Sequence, residues 1–476
     1  MGRRWMVCAV FVVTLVLLSA CSREAVQTAS LSARPCDVAL APHAGDLQID
    51  KEIANLQQES RRLPTSRTLE RLGWLFVSKA RLSYDSGYYK LAEQCADCIE
   101  SKSPGSPEAL LLRGHVLHNM HRFKEGEKIA RELVSRRGGA FDYGVLGDVL
   151  MEQGRLLEAA EAYQKMVDLK PGLQSYSRAA HLRWLKGDLE GARELMRMAA
   201  RAGSPRDPES VAWAYSRLAL YELQASDSKR AAAACDAALS YQADYAPALL
   251  VQGRLLLAQG KSQEAVVPLK RAASLNPQAE YAWVLAEALH AAGRIPEARS
   301  LEESLEKQGP VSDPRTFALF LATRGRDAET ALRLAEDELK ARADVFTLDA
   351  LAWALAAAGR LEEAESSMRQ ALAHGTQDAR LFYHAGSIAA ASGRKPEARR
   401  WLERAAAIRQ MLLPPKESSS QNNSRRFDEG PGGICAFDCR PSKTDFRRNW
   451  PLDESGETVV SHQLMNLNQK PKGEAP

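Results

Sequence analysis

The feature that most constrains the fold of this chain is a spacing of small residues that recurs along it. After Gly147, a glycine follows at position +7, an alanine at +12, a tyrosine at +16 and a proline at +24. The same offsets recur after Gly253, where the residue at +16 is a leucine. After Gly386 they recur up to position +16, which is again a leucine. A fixed spacing with a period of roughly 20 to 50 residues indicates structural repeats that stack on one another.

The second glycine of this pattern, or a residue in its place, can be followed through ten units. The steps between these positions are nearly constant, apart from one longer step that includes a loop over 203–208. Glycine can take a left-handed conformation that ends one helix before the next begins. The spacing therefore predicts ten helix-turn-helix units. The ten turn positions are Gly87, His121, Gly154, Gly187, Ser226, Gly260, Gly293, Gly325, Gly359 and Gly393.

Helix-start signals and composition both support an all-α fold. Ser106, Asp207 and Asp313 each precede a proline. Such residues cap the first turn of a helix, and proline fits its first position. Long runs of Val, Ile and Thr occur only within 1–20, whereas Ala and Leu are frequent throughout. Helices are therefore well supported and strands poorly supported.

The pattern from Gly147 to Pro171 resembles the tetratricopeptide repeat, in which one unit has a period of about 34 residues. The resemblance implies a right-handed α-solenoid of about ten repeats with a concave inner face, because stacked helix pairs share one core. An unrelated helical protein rich in alanine and glycine is the alternative, and ten matched spacings argue against it. The predicted segments are a signal peptide (1–20), a flexible tether (21–45), a capping helix (46–66), the solenoid (67–410) and a disordered or loosely ordered tail (411–476).

The N-terminal segment 1–21 is typical of an export signal. Arg3 and Arg4 precede an apolar run over 7–18, which is shorter than the roughly 20 residues of a membrane-spanning helix and fits a signal peptide. The run ends in the letters LSAC, which resemble the bacterial lipobox and imply that Cys21 becomes the lipidated first residue. In bacterial lipoproteins with this motif, the residue after the cysteine directs sorting, and Ser22 implies the outer membrane. The rest of the protein would then lie in the periplasm. An ordinary signal peptide with an incidental cysteine is the alternative.

The resemblance also places sixteen side chains along the concave groove, which we expect to bind a partner. Trp and Arg are frequent binding anchors, although each Trp could equally pack between helices. Charge along the set is mixed, and the chain carries 64 Lys and Arg against 60 Asp and Glu. A protein or peptide ligand is therefore favoured over nucleic acid. The predicted groove residues are Trp74, Arg81, Tyr84, His115, His118, His181, Trp184, Trp213, Arg254, Trp283, Glu287, His290, Asp349, Trp353, Arg380 and Tyr383.

Two further clusters could carry chemistry. His115 and His118 could share a helix face and bind copper, nickel or zinc, but a pair lacks the third and fourth ligands of a usual site. Cys95 and Cys98 form a CxxC pair inside a helix, where packing is favoured over a redox role because redox pairs need a helix N-terminus. The pairing of the six remaining cysteines stays open among 15 possibilities. These six are Cys36, Cys95, Cys98, Cys235, Cys435 and Cys439.

No catalytic motif was found, neither a phosphate-binding glycine loop nor GxSxG nor HExxH. The main hypothesis is a non-catalytic, lipid-anchored scaffold without cofactor or bound metal, whose partner is an unknown envelope protein or peptide. The alternative is a periplasmic accessory protein that uses the histidines or the cysteines for metal or redox chemistry. No polar capping helix follows the last repeat. Either the tail folds back over Trp401 and Leu412, or a partner covers that face.

Overall fold

The computed structural model of the protein describes residues 34–414, and every regular element in that range is a helix. The expected signal peptide, the lipidation residue Cys21 and the cysteine pair Cys435 and Cys439 of the predicted tail lie outside the described residues. Within 34–414, no helix is both long enough and apolar enough to cross a lipid bilayer.

The helices form a short N-terminal cap followed by ten helix pairs. Helices α1 and α2 are the cap, and the pairs α3–α4 to α21–α22 are repeats 1 to 10. The bounds are α1 Pro35–Ala39, α2 Gln48–Arg62, α3 Ser66–Ser83, α4 Gly87–Lys102, α5 Pro107–Asn119, α6 Phe123–Arg136, α7 Ala140–Glu152, α8 Leu156–Leu169, α9 Leu173–Leu185, α10 Leu189–Arg201 and α11 Pro208–Gln224. They continue with α12 Ser228–Tyr241, α13 Ala246–Ala258, α14 Ser262–Leu275, α15 Ala279–Ala291, α16 Ile295–Ser312, α17 Pro314–Arg324, α18 Ala328–Ala341, α19 Val345–Ala357, α20 Leu361–Leu372, α21 Ala379–Ala391, α22 Lys395–Ala407 and a 3₁₀ turn Arg409–Met411.

The small residues of the sequence pattern lie where the two helices of a repeat cross. A Cβ atom added to Gly147 would lie 2.3 Å from the ring of Tyr163, and one added to Gly253 would lie 2.3 Å from Leu269 Cγ. Both partners stand at the same offset after their glycine, as the recurring spacing indicates. The absence of a side chain therefore lets the second helix pack directly against the backbone of the first.

The predicted turns are confirmed at nine of the ten positions, where the residue has a positive φ, as at Gly154 with φ 75°. The prediction for Gly87 is wrong, because the left-handed residue of that turn is Tyr84 with φ 55°. Gly87 instead begins α4, and its N–H donates to Asp85 Oδ1 at 2.8 Å. The helix starts behave as expected, since Asp207 and Asp313 accept hydrogen bonds from backbone N–H groups of their first turns.

The N-terminal cap is larger than the sequence suggested. Part of the predicted tether (21–45) is folded, because α1 is joined to α4 by a disulfide between Cys36 and Cys98. Gln57 of the capping helix α2 donates to the carbonyl oxygens of Ala39 and Ala41 at 3.1 and 2.6 Å. These bonds and the covalent link hold residues 35–41 against the first repeat.

The ten repeats wind so tightly that successive turns of the superhelix touch. Arg342 donates to Glu152 Oε2 at 3.3 Å, and Thr376 Oγ1 donates to the carbonyl oxygen of Leu185. The residues joined are 190 and 191 positions apart, which is about five and a half repeats of the family's length. We call this row of contacts the seam. One side of the seam is formed by the turns of repeats 3 to 5. The other side is formed by the segments that precede repeats 9 and 10 and the segment that follows repeat 10.

Candidate functional site

Closure of the superhelix encloses a central channel of about 2360 Å³, lined by side chains of repeats 3 to 10. The first helix of each pair supplies most of this lining, as expected for the concave face of stacked helix pairs. A cavity of roughly 300 to 1,000 Å³ accommodates a small molecule, so this channel has room for a polymer segment. We take this channel as the candidate functional site.

Seven of the sixteen predicted groove residues line the channel. The remaining nine lie elsewhere: His290, Asp349 and Trp353 are buried between helices, and the other six lie in or near repeats 1, 2 and 5. Trp353 donates to Thr323 Oγ1 at 3.0 Å and stacks on a neighbouring imidazole, so it is a packing residue. The channel-lining members are His181, Trp184, Arg254, Trp283, Glu287, Arg380 and Tyr383.

The other six predicted residues take part in local contacts. Trp74 lies against His115 with ring centroids 5.2 Å apart, and His118 lies against a phenylalanine. Arg81 pairs with Glu209 of repeat 5 at 2.5 Å. Tyr84 and Trp213 pack at the edges of apolar clusters. The structure therefore distributes the predicted set between the channel wall, the helix interfaces and one contact between repeats 1 and 5.

Most positive charge in the channel is neutralised by carboxylates of the same wall. Arg254 lies 2.7 Å from Glu280, and Arg324 lies 2.8 Å from Glu287. Burial alone would raise the pKa of Asp344, but the neighbouring guanidinium groups outweigh it and hold that pKa below its usual value. A strongly charged ligand would have to break such pairs, so the wall favours a ligand that relies on apolar contacts.

One corner of the channel combines aromatic rings with an arginine that has no carboxylate within ion-pair distance among the described residues. Arg217 donates to His181 Nδ1 at 3.3 Å and lies over the ring of Tyr221. Because arginine only donates, Nδ1 must be the unprotonated nitrogen of the imidazole. Burial and then the charge of Arg217 lower the pKa of His181 to about 3. Beside it, Trp184 stacks on Phe346 across the seam, with centroids 5.4 Å apart.

Sequence reasoning missed several residues of this wall. Arg217 follows Trp213 by four positions, as Glu287 follows Trp283, so its place on the first helix could have been found by extending the pattern. Phe346 and the segment after α22 carry no such signal. They enter the channel only because repeats 9 and 10 lie against repeats 3 to 5.

The metal and redox hypothesis finds little support in the described part of the chain. Within residues 34–414 no group of three or more His, Cys, Asp or Glu side chains is placed to hold a metal ion. Of the CxxC pair, Cys98 is joined to Cys36, and Cys95 is buried with its thiol pKa raised by that burial. Cys95 is therefore held as a neutral thiol, which is a poor nucleophile.

Comparison with known families identifies the repeat. The family model described as tetratricopeptide repeat matches residues 111–174, 146–208, 216–279, 250–313 and 350–410, which together span more than half of the chain. No curated protein matches the sequence.

Solved structures of other proteins are similar to parts of this chain. The pilF protein of Pseudomonas aeruginosa is 17% identical, covering 43% of this chain and 93% of that one, with a TM-score of 0.37. A tetratricopeptide repeat protein from Parabacteroides merdae is 16% identical, covering 51% and 91%, with a TM-score of 0.38. Human IFIT1, solved as a dimer with PPP-AAAA, is 14% identical, covering 75% and 78%, with a TM-score of 0.38.

Proposed function

Because this chain belongs to the tetratricopeptide repeat family, we propose that it is a lipid-anchored adaptor of the bacterial cell envelope that holds a peptide segment of a partner protein in its central channel. Arrays of this family act as protein-interaction scaffolds, and the channel is the observation that supports this role most strongly. Its volume of about 2360 Å³ exceeds what a small molecule needs. Its charges are largely paired within the wall, which favours a protein segment over nucleic acid.

The proposal includes a location and an anchor. Lipid attached at Cys21 tethers the body to the outer membrane, facing the periplasm, as the letters LSAC and Ser22 suggest. The disulfide between Cys36 and Cys98 supports export, because such bonds persist in oxidising compartments. In this proposal the protein performs no catalysis itself and positions its partner.

In-cell photo-crosslinking tests the proposal. Leu220 lines the channel, and its replacement by p-benzoylphenylalanine should crosslink a reproducible partner protein that mass spectrometry identifies. The same replacement at Val267, which is 71% exposed on α14, is the matched control and should capture nothing reproducible. Recovery of the same proteins from both positions, or of none from Leu220, would contradict the adaptor role.

Fractionation of the same cells tests the anchor. The wild-type protein should sediment with outer membranes, and the Cys21→Ser variant should appear in the soluble periplasmic fraction with an unchanged circular dichroism spectrum. A Cys21→Ser variant that still sediments with membranes would show that the anchor is wrong.

A further inference from the structure

The described residues that follow the last repeat, 409–414, turn into the central channel. Helix α22 ends at Ala407, and Arg409 to Met411 form a single 3₁₀ turn. The residues Arg409–Pro414, which we call the C-terminal strap, all belong to the channel lining. Leu412 has extended backbone angles of −79° and 148°, so the strap continues into the channel as an extended segment.

The strap contacts repeats that lie far from it in the sequence. Gln410 Nε2 donates to the carbonyl oxygen of Leu223 at 2.8 Å and to Ser226 Oγ at 2.7 Å. Met411 packs against the apolar cluster of repeats 2 to 6. Leu413 packs against two clusters at once, one formed by repeats 6 and 7 and one by repeats 7 to 10. A single short segment therefore bridges several parts of the channel wall.

These contacts are the kind that an extended peptide ligand makes in a groove. Leucine side chains pack against apolar clusters, and a polar side chain donates to a carbonyl oxygen near the end of a helix. The cationic side chains of the wall, such as Arg254 and Arg324, are already paired with carboxylates and leave little charge for the ligand to satisfy. The strap thus shows which chemistry the channel accepts.

We propose that the partner segment is an extended apolar peptide of the strap's own chemistry, with consecutive large aliphatic side chains, and that the strap is the intramolecular competitor which this peptide displaces. This inference rests on the proposed adaptor function, since it names the ligand class of the same channel. A competitor attached directly to the last repeat acts at an effective concentration in the millimolar range. The apparent affinity for a partner is then reduced by the fraction of molecules whose strap is seated.

Peptide binding to the purified full chain tests this proposal. The probe is a fluorescein-labelled peptide with the sequence of residues 409–418, RQMLLPPKES. The Leu413→Asp chain should bind it at least tenfold more tightly than the wild-type chain in fluorescence anisotropy, because a carboxylate cannot replace the apolar contacts of Leu413 and therefore expels the strap. The Gln410→Ala chain, which loses only the two hydrogen bonds, should show a smaller increase in probe affinity. This second variant tests the strap even if the Leu413→Asp chain misfolds.

Controls separate the strap from general effects of charge. Val311→Asp places the same charge on a residue that is 89% exposed on α16, and this variant should bind the probe like the wild type. A probe that itself carries aspartate in place of Leu413 should bind none of the chains. Equal probe binding by wild-type and Leu413→Asp chains, or binding by neither, would overturn the proposal.

Light scattering of the wild-type chain distinguishes an intramolecular strap from an exchanged one. A monomer is expected, and a dimer that Leu413→Asp dissociates would show that the channel is filled by a second copy and would contradict the proposal. These measurements use only this chain and its own peptide. Their outcome is therefore independent of whether crosslinking in cells recovers a partner.

Discussion

At the residue scale, the helix interfaces and the channel wall contain ionisable groups that are held in one protonation state. Burial and then a neighbouring imidazole lower the pKa of His115 to about 3, and the pKa of His181 is lowered to about 3 by burial and Arg217. The positions of these two histidines were read from the repeat pattern. Their neutrality could not be, because it depends on burial between packed helices and, at His181, also on the charge of Arg217 from another repeat.

We predict that this neutrality makes the free energy of unfolding depend on pH between about 6.5 and about 3. The unfolded chain binds protons on His115 and His181 near pH 6.5, whereas the folded chain does not, so stability is complete above pH 6.5 and falls as the pH is lowered. Each ring contributes at most about 2 kcal/mol of this loss at pH 5, and less where channel water reaches it.

Urea unfolding at pH 7.5 and pH 5 measures this effect. The double variant His115→Gln with His181→Gln should lose less stability on acidification than the wild type. Carboxylates add little to this comparison, because pH 7.5 and pH 5 both lie above the usual pKa values of about 4 for Asp and Glu, and the pKa values of Asp148 and Asp344 are lowered further. Wild-type and variant curves that run parallel would rule out the assigned cause.

At the element scale, each repeat depends on one close approach between its two helices. The recurring offset between Gly253 and Leu269 was visible in the sequence, and the structure shows the contact that it reflects. The N-terminal cap is different. Nothing in the spacing of Cys36 and Cys98 selects that pair among 15 pairings, since only the packing of α1 on α4 brings the two sulfurs together.

We predict that Gly253→Ala destabilises the protein by about 1 to 3 kcal/mol, because its Cβ would lie 2.3 Å from Leu269 Cγ. The combination with Leu269→Ala should cost less than the sum of the two single changes, since the smaller side chain relieves the clash. Thermal unfolding of the four chains of this double-mutant cycle gives the coupling. Strict additivity would show that the glycine is not required by the helix crossing.

At the scale of the whole molecule, the seam converts a solenoid into a closed channel. Gly154 and Gly187 combine two requirements, since each has a positive φ and each leaves no room for a side chain. A Cβ atom on either would lie 2.5 Å from a backbone carbonyl oxygen of the adjoining superhelical turn, that of Ala343 or of Gly375. Only glycine at these two turn positions therefore allows repeats 3 and 4 to lie so close to the later repeats.

We predict that Gly154→Ala with Gly187→Ala opens the superhelix. The matched control is Gly260→Ala with Gly293→Ala, where φ values of 75° and 72° are similar but no atom lies within 4 Å of the added Cβ. Both double variants should lose about 1 kcal/mol or more of unfolding free energy per substituted site, because alanine is strained at a positive φ. Only the seam pair should increase the radius of gyration measured by small-angle X-ray scattering, and an equal change in both pairs would show that the seam does not hold the channel closed.

The sequence by itself determined that the chain is a helical solenoid, that it has ten helix pairs and where nine of the ten turns lie. Its pattern is set by contacts within one repeat, such as Gly147 with Tyr163, and these depend only on the two helices of that repeat. Only the tertiary structure decided that the groove closes and that the strap fills part of it. The seam joins residues about 190 positions apart, so it depends on the rotation accumulated over five to six repeats. Small changes in the rotation between neighbouring repeats add up over that distance. The spacing of residues within one repeat does not predict the accumulated rotation.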